Sequence, residues 1–320
     1  MSTGPQHRRF PIRRAAIAAA VVAVAVVVLL VLIGGDGGPE VSDTIQVGAA
    51  PAGITVGFDR VWVVNNDGGT LTRVDPDSKK VDGRPVQVGE SPQYVSTGAG
   101  SVWTTAGLGS RIVRVDPRTM RVSRTIIVGL EPTGIAATDD AVWVADDIAD
   151  NVQRIDPRTN RKAGRPIKVG TGPQAVVAGG GAIWVANFRE DTVSRIDPQG
   201  NRVVATIRVG NGPAQMAFGE GGLWVANVTD RTLVKVDPAQ NRVVGPRVAV
   251  GGIPVGVAAG DGSVWIADSE DGELKRVDPE EQKLTGDPVD PGGHPAGVAV
   301  GEGAVWATLA TRNAIARIEP

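Results

Sequence analysis

The pattern of apolar and polar positions divides most of the chain into short β-branched runs closed by turn residues. Residues 169–208 contain four such runs, "PQAVVAG", "AIWVAN", "TVSRID" and "RVVATIR", each closed by a turn that contains Gly, Asn, Asp or Pro. Runs of this length and composition, bounded in this way, are typical of β-strands. The segment therefore predicts a unit of four strands.

This unit repeats seven times, because every tryptophan of the chain recurs at a spacing of 40 or 41 residues. The tryptophans are Trp62, Trp103, Trp143, Trp184, Trp224, Trp265 and Trp306. An Asp-Pro pair recurs in step with them, at Asp75, Asp116, Asp156, Asp197, Asp237 and Asp278, with Glu319 in the seventh unit. Four-stranded units that repeat at this length form β-propellers, whereas a solenoid would need polar caps at both ends, which the sequence does not show. We predict an all-β fold, a seven-bladed β-propeller.

The first propeller segment, "PEVSDTIQVG", resembles the end of a unit rather than its beginning. Aligned with "GNRVVATIRVG" of residues 200–210, it matches Val41 with Val203 and Ile45 with Ile207. The seventh unit ends at "IARIEP" without a fourth run. We therefore predict that the strand of residues 41–47 completes the seventh blade and closes the ring, which removes exposed strand edges.

The N-terminal region predicts a membrane anchor. The first fourteen residues carry four arginines and no acid, and Ala15–Ile33 contains no polar side chain. At about 1.5 Å per residue a helix over this range is about 28 Å long, enough to cross a bilayer. The positive-inside rule then gives a cytoplasmic basic tail (1–14), a transmembrane signal-anchor helix (15–33), a linker (34–40) and an extracytoplasmic propeller (41–320). A cleaved signal peptide is the alternative, although the run exceeds the usual h-region and no A-x-A site follows.

Composition and charge exclude several classes of function. Without cysteine, the chain has no disulfide, no thiolate nucleophile, no Cys-ligated zinc and no lipoprotein acylation site. The net charge is −2, and the four arginines of the tail leave about −6 on the remainder. Nucleic acid is therefore not an expected partner, because its binding requires a basic patch.

The units have the form "VG-x-x-P-x-x-V-A…V-W-V-A-N…T-V-x-R-I-D-P…V-x-x-T-I", which resembles the YVTN-type propeller repeat of YncE-like proteins. This repeat is related to NHL-repeat and streptogramin B lyase propellers, and the resemblance covers Val41–Pro320. It implies the seven-bladed fold. For function it implies less, because the same scaffold hosts binding proteins, sensor domains and at least one lyase.

Residues that recur in every unit favour structural roles. The tryptophans suggest packing between blades rather than an aromatic cage for a ligand. Asp-Pro is typical of a turn start, with the carboxylate accepting backbone N–H bonds. The basic residue two positions before each Asp or Glu could form an anion channel, but we favour pairing with that acid or with an acid of the neighbouring blade. These residues are Arg73, Arg114, Arg154, Arg195, Lys235, Arg276 and Arg317. The segment "DSEDGE", Asp268–Glu273, departs from the calcium-loop pattern and predicts a solvated acidic loop.

Catalytic groups are scarce in the predicted propeller. The chain has two histidines, His7 in the basic tail and His294 among the blades. The resemblance to streptogramin lyases implies a histidine pair with a glutamate, and no second propeller histidine exists here. We therefore expect no catalytic residues, no metal and no cofactor, and keep a lyase-like or metal-assisted hydrolytic enzyme as the alternative.

A binding site is predicted where the blades differ. Two residues after the recurrent proline stand small residues in five blades, but Tyr94 and Gln215 in the other two. Polar or large residues in nearby loops are Gln93, Glu131, Gln174, Asn211 and His294, with Phe188 and Arg189 in a neighbouring loop. We predict that they surround the mouth of the central channel and bind a protein, glycan or small-molecule ligand. Drift in solvated loops is the open alternative. The expected function is that of a membrane-anchored, extracytoplasmic, non-catalytic binding or sensor module.

Overall fold

The computed structural model describes Met1 and residues 38–320, and Pro39–Pro320 forms one compact all-β unit. The predicted anchor helix of residues 15–33 lies outside the described residues. In the described part of the chain, no helix combines the length and apolarity needed to cross a bilayer.

The unit contains seven antiparallel sheets built from thirty described strands. The first strand is β1 (Glu40–Gln46). Blade 1 contains β2 (Pro51–Gly57), β3 (Arg60–Asn65), β4 (Thr70–Asp75), β5 (Lys80–Val81) and β6 (Val86–Gln87). Blade 2 contains β7 (Val95–Gly98), β8 (Ser101–Ala106), β9 (Arg111–Asp116) and β10 (Arg121–Ile127). Blade 3 contains β11 (Pro132–Ala137), β12 (Val142–Asp146), β13 (Asn151–Asp156), β14 (Arg161–Lys162) and β15 (Ile167–Lys168).

The remaining blades continue the same order. Blade 4 contains β16 (Pro173–Gly179), β17 (Ala182–Asn187), β18 (Thr192–Asp197) and β19 (Arg202–Arg208). Blade 5 contains β20 (Pro213–Gly219), β21 (Gly222–Asn227), β22 (Thr232–Asp237) and β23 (Arg242–Ala249). Blade 6 contains β24 (Pro254–Gly260), β25 (Ser263–Asp268), β26 (Glu273–Asp278) and β27 (Lys283–Leu284). Blade 7 contains β28 (Pro295–Gly301), β29 (Ala304–Leu309) and β30 (Ala314–Glu319). Two short 3-10 helices, Gly107–Gly109 and Ala310–Arg312, lie in the described loops.

The N-terminal strand closes the ring, as predicted. β1 pairs antiparallel with β30 and is the outer strand of blade 7, in the order β1-β30-β29-β28. It begins and ends one residue earlier than the predicted 41–47, and the Val47 N–H continues the pairing by donating to the Asn313 carbonyl at 2.9 Å. Ile45 is buried in the cluster that also contains Trp306 and Ile315. The strand therefore contributes to the core as well as covering an edge.

The outer strands of blades 1, 3 and 6 are interrupted or cut short at a Gly-x-Pro sequence. In blade 1 the sequence around Pro85 separates β5 from β6, and both strands pair with β4. Pro166 separates β14 from β15 in the same way in blade 3. In blade 6 β27 ends before Pro288, and Val289 adds an isolated bridge to Leu274. Proline has no N–H to give to the ladder, so each outer strand is interrupted there.

The seven tryptophans pack between blades, as predicted. All seven side chains are fully buried, and a basic residue lies over each indole ring. In blade 2, for example, the Arg114 guanidinium carbon lies 5.0 Å from the Trp103 ring centroid. Stacking of a cation on an aromatic face is favourable when the pair is shielded from water.

The predicted partner of the basic residues is wrong in most blades. They bind the carbonyl of the Asp-Pro turn in the next blade: Arg73 donates to the Pro117 carbonyl at 2.6 Å and Arg114 to the Pro157 carbonyl at 2.7 Å. Arg73 also pairs with an acid, but this is Asp82 of its own blade, at 2.9 Å. Among the described residues, Arg317 alone pairs with the acid two positions later. The basic residue therefore joins the tryptophan of one blade to the backbone of the next, which is still a structural role.

The Asp-Pro turns have the predicted geometry. In blade 3 the Asp156 carboxylate accepts from the N–H groups of Arg158 at 2.8 Å and Thr159 at 3.4 Å. The same pattern recurs at Asp75, Asp116, Asp237 and Asp278. These N–H bonds favour the ionised form and lower the pKa of each carboxyl below its ordinary value.

Candidate functional site

A central cavity of about 380 Å³ lies where the seven first strands converge, and each blade contributes to its wall. We call the side on which these first strands begin the mouth face. The loops between second and third strands open on the same side, because in six blades the first residue of the first strand pairs with the last residue of the second, as Pro51 does with Asn65. Gln93, Tyr94 and Gln215 lie in the cavity wall.

Tyr94 and Gln215 both line the central channel. Tyr94 belongs to blade 2 and Gln215 to blade 5, which are not neighbours in the ring, and Gln215 is near enough to affect the ionisation of the Tyr94 hydroxyl. Burial raises the pKa of Tyr94 to about 12, Gln215 acts in the opposite direction, and the negative charge of Asp147 adds to the increase. The phenol is therefore neutral and able to donate a hydrogen bond over the whole physiological pH range.

The packing of Tyr94 fixes its position. Its ring contacts the core cluster between blades 2 and 3, which includes Trp103 and Ile135. Its backbone N–H donates to Thr105 Oγ1 at 3.3 Å, and its carbonyl accepts from the Thr105 N–H at 3.1 Å. The equivalent Gly53 and Gly297 lie in the same cavity wall, and each packs closely against the backbone of the next blade.

A second polar group beside the cavity is centred on Asp147, which the sequence analysis did not single out. The Asp147 carboxylate accepts from Arg189 Nη1 at 3.0 Å and from Gln174 Nε2 at 3.2 Å. Arg189 also donates through Nη2 to the Asp147 carbonyl at 2.8 Å. The three residues join blade 3 to blade 4. One sequence signal could have revealed Asp147, because it is the only acid at the position directly after a second strand.

Like Gln174 and Arg189, four other predicted residues lie outside the lining of the central cavity. Asn211 binds Asp230 of its own blade through its N–H at 2.8 Å and its Nδ2 at 2.7 Å. Glu131 is exposed and touches the Asp147 segment through its carbonyl, which accepts from the Asp147 N–H at 3.0 Å. Phe188 is half-buried, and its N–H donates to the Gly172 carbonyl at 2.8 Å.

The fourth of these residues, His294, is part of a separate cavity. Its Nδ1 lies 2.8 Å from the Ser269 carbonyl oxygen. The cavity has a volume of about 380 Å³ and is also lined by Asp271, Glu273 and Arg312. The structure thus groups Gln93, Tyr94 and Gln215 in one wall but places His294 in another.

The predicted solvated acidic loop, Asp268–Glu273, is partly wrong. Asp268 is fully buried and accepts from the Gly252 N–H at 3.1 Å and from Lys275 Nζ at 2.7 Å. Burial raises the pKa of Asp268, but the bonds from Lys275 and from backbone N–H groups outweigh this and lower it overall. Asp271 also binds Lys275. Lysine therefore neutralises the acids of this loop, and the described residues contain no group of three acidic or histidine side chains placed to hold a metal.

Comparison with known proteins places this geometry in a family. The sequence model described as the virginiamycin B lyase family matches residues 80–320. A comparison with curated proteins gave no significant match.

Solved structures share the fold at low sequence identity. Virginiamycin B lyase from Staphylococcus aureus is 16% identical with a TM-score of 0.77, and the match covers 88% of this chain and 100% of that one. A catalytically inactive histidine-to-alanine variant of that enzyme, solved with quinupristin, is 16% identical with a TM-score of 0.73, covering 87% of this chain and 99% of that one. Hydrazine synthase from Kuenenia stuttgartiensis is 18% identical with a TM-score of 0.75, covering 85% and 96%. Because the family model spans most of the propeller, the chain belongs to the virginiamycin B lyase family.

Proposed function

We propose that the propeller binds a polar ligand at the mouth of the central channel without transforming it. The observation that carries this proposal is the position of Tyr94 and Gln215 in the wall of the same central cavity. Of the seven equivalent positions, these two alone carry side chains larger than alanine. A polar pair in an otherwise small-residue ring is the arrangement that a recognition site requires.

The chemistry of the cavity favours an uncharged polar ligand. Its volume, about 380 Å³, lies within the range of small-molecule sites, which is roughly 300–1,000 Å³. The wall offers one phenol and two amides, which together donate and accept hydrogen bonds. The neighbouring Asp147 is already paired with Arg189. Sugar hydroxyls or peptide amides of a glycan or a partner's loop would match these groups.

A lyase-like enzyme is the second candidate, because the family and two of the similar structures carry that name. One of those structures owes its inactivity to the loss of a single histidine. In this chain the propeller has one histidine, His294, and its ring nitrogen faces the Ser269 carbonyl in a cavity apart from Tyr94. General acid–base chemistry needs a proton-transferring group within reach of the bound ligand. This separation favours binding over catalysis.

A membrane-anchored, extracytoplasmic location is also part of the proposal. Its support is the uninterrupted apolar run of residues 15–33, which follows four arginines. The protein should remain with membranes after carbonate extraction. A soluble mature form that begins near residue 34 would contradict the anchor.

Site-specific photo-crosslinking in cells tests the binding function. A photoreactive phenylalanine analogue in place of Gln93, which is exposed in the cavity wall, should capture the ligand or partner. The same analogue at Arg158, on a highly exposed turn of the opposite face, is the control. Capture from position 93 should fall when Tyr94→Phe or Gln215→Leu is added. Identical adducts from positions 93 and 158 would contradict a site at the mouth.

A further inference from the structure

The face opposite the mouth contains one turn that is unlike its six counterparts. In the other blades, the turn between the first and second strands has two consecutive residues with positive φ, such as Gly180 at 58° and Gly181 at 72° in blade 4. The other five pairs are Phe58 and Asp59, Ala99 and Gly100, Glu220 and Gly221, Asp261 and Gly262, and Glu302 and Gly303. In blade 3, none of the described residues 138–141 has a positive φ.

The sequence of the blade 3 turn explains its geometry. Thr138 replaces the glycine that ends most first strands, and its N–H donates to the Ala141 carbonyl at 2.9 Å. The Ala141 N–H in turn donates to Thr138 Oγ1 at 3.2 Å. A hydroxyl that bonds the local backbone in this way competes with the regular hairpin. The first strand of blade 3 therefore ends one residue early, at Ala137.

Trp143 lacks the hydrogen-bond partner that five other tryptophans have. In five blades the indole Nε1 donates to the carbonyl of the glycine five residues earlier, as Trp184 does to Gly179 at 3.0 Å. The other four pairs are Trp62 with Gly57, Trp103 with Gly98, Trp224 with Gly219 and Trp306 with Gly301. The corresponding position in blade 3 is Thr138. Trp143 is fully buried, and its Nε1 has no hydrogen-bond partner among the described residues. A buried N–H in this state is costly unless a partner arrives from outside the protein.

A cavity lies beside the same tryptophan. It has a volume of about 480 Å³ between blades 3 and 4, and its wall includes Trp143, Arg154, Asp140, Ala178 and Gln199. We call it the interblade cavity.

The neighbouring junction shows how this space can be filled. Between blades 4 and 5, the ring of Phe218 lies directly against Gly179 and Gly180. The residue of blade 4 equivalent to Phe218 is Ala178, whose side chain ends at a methyl group. The junction between blades 3 and 4 thus combines a small covering residue with an unpaired donor.

We propose that the interblade cavity binds a small molecule through a carboxylate or amide oxygen that accepts from Trp143 Nε1. The Arg154 guanidinium carbon lies 5.2 Å from the Trp143 ring centroid, which brings a positive charge close to that oxygen. Arg154 is itself held by its bond to the Pro198 carbonyl at 3.1 Å. The exposed Asp140 favours a ligand that also has a cationic group. The free α-amino acids combine both features.

The indole resonances of the full-length protein, labelled with ¹⁵N at tryptophan, report on this site directly. The Trp143 signal is identified by its loss in Trp143→Phe. Glycine, acetamide and acetate are the probes, added separately at millimolar concentrations. We expect glycine and acetamide to shift the Trp143 signal downfield as the indole N–H gains an acceptor, with a smaller shift for acetate because it lacks a partner for Asp140. The Trp184 signal is the internal control, because its N–H already donates to Gly179.

Two variants separate binding in the cavity from an effect elsewhere. Ala178→Phe should fill the space as Phe218 does in the next junction and abolish the shift. Thr138→Gly should restore the common turn, give the Trp143 indole a partner within its own blade, and also abolish the shift of its signal. This second variant keeps the test valid if Ala178→Phe prevents folding. The proposal is overturned if no probe shifts the Trp143 signal. That result would also be found if the indole N–H bound only a water molecule. It is also overturned if the shift persists in a folded variant.

Discussion

The ionisation of Tyr94 reports on the surroundings of its hydroxyl in the central channel, and its signal is unambiguous because Tyr94 is the only tyrosine of the chain. Burial raises its pKa from the ordinary 10.0 to about 12. The unfolded chain should therefore release this proton about two pH units before the folded chain does.

The shift of about two units corresponds to about 2.7 kcal/mol, at about 1.36 kcal/mol per unit. Because the folded-state pKa is raised, this stabilisation is fully present below pH 10.0 and is lost as the pH rises through the folded value. The free energy of unfolding should therefore decrease by about 2.7 kcal/mol between about pH 10 and pH 12.

Two substitutions should move the pKa of Tyr94 in opposite directions. The Gln215 amide lowers the pKa, so Gln215→Leu should raise it further. The negative charge of Asp147 raises the pKa, so Asp147→Asn should lower it. A general change in stability would not produce shifts of opposite sign.

The assay is the absorbance of the tyrosinate band after rapid mixing to alkaline pH, before unfolding, with circular dichroism to confirm the folded state. The denatured chain supplies the reference near the ordinary value. A native midpoint near 10.0 would refute the desolvation of the Tyr94 hydroxyl, and shifts of the same sign in both variants would refute the influence of Gln215 and Asp147 on it.

Three further predictions concern stability. Deleting residues 1–48 should destabilise the fold far more than deleting residues 1–38, because the longer deletion removes β1. The loss of the buried Ile45 side chain alone lowers the free energy of unfolding by about 1.5–3 kcal/mol. Equal melting temperatures for the two truncations would argue against ring closure by β1. Lys275→Met should lower the free energy of unfolding in urea by about 3–5 kcal/mol, because it leaves the buried Asp268 carboxylate without its cation. Adding Asp268→Asn should recover part of this loss. If the effects of the two substitutions simply add, the ion pair does not couple the two residues. The turn carboxyls have lowered pKa values in the folded chain, so their contribution to stability is fully present above the ordinary pKa of 3.8 and is lost as the pH falls through the folded values. Thermal melts at several acidic pH values should show this loss, and Asp156→Asn should make it smaller. An unchanged pH dependence in that variant would contradict the prediction.

The fold could be predicted from the sequence because its signals occur in every blade. Seven tryptophans in step fix the blade count, and the orphan run containing Val41 and Ile45 fixes how the ring closes. The partners of the basic residues could not be predicted, because Arg73 binds a carbonyl 44 residues away in the next blade. Sequence spacing shows which residues share a strand face, but it does not show which backbone atoms of a neighbouring sheet lie opposite.

The candidate site was predictable only in part. Tyr94 and Gln215 stand out because they interrupt a ring of small residues, and both lie in the cavity wall. Asn211 and His294 have the right side chains at nearby positions, but local hydrogen bonds to Asp230 and to the Ser269 carbonyl hold them elsewhere. Such loop contacts depend on side-chain direction, which the repeat pattern does not encode.

The measurement that tests the central claim most directly is an assay of the full-length protein with virginiamycin B. Chromatography would separate virginiamycin B from the product of the lyase reaction, and the Staphylococcus aureus lyase would serve as the positive control. Because His294 lies apart from the Tyr94 cavity, we predict no product in a time during which the control enzyme converts all of its substrate. Product formation that disappears in His294→Ala would contradict a purely binding function.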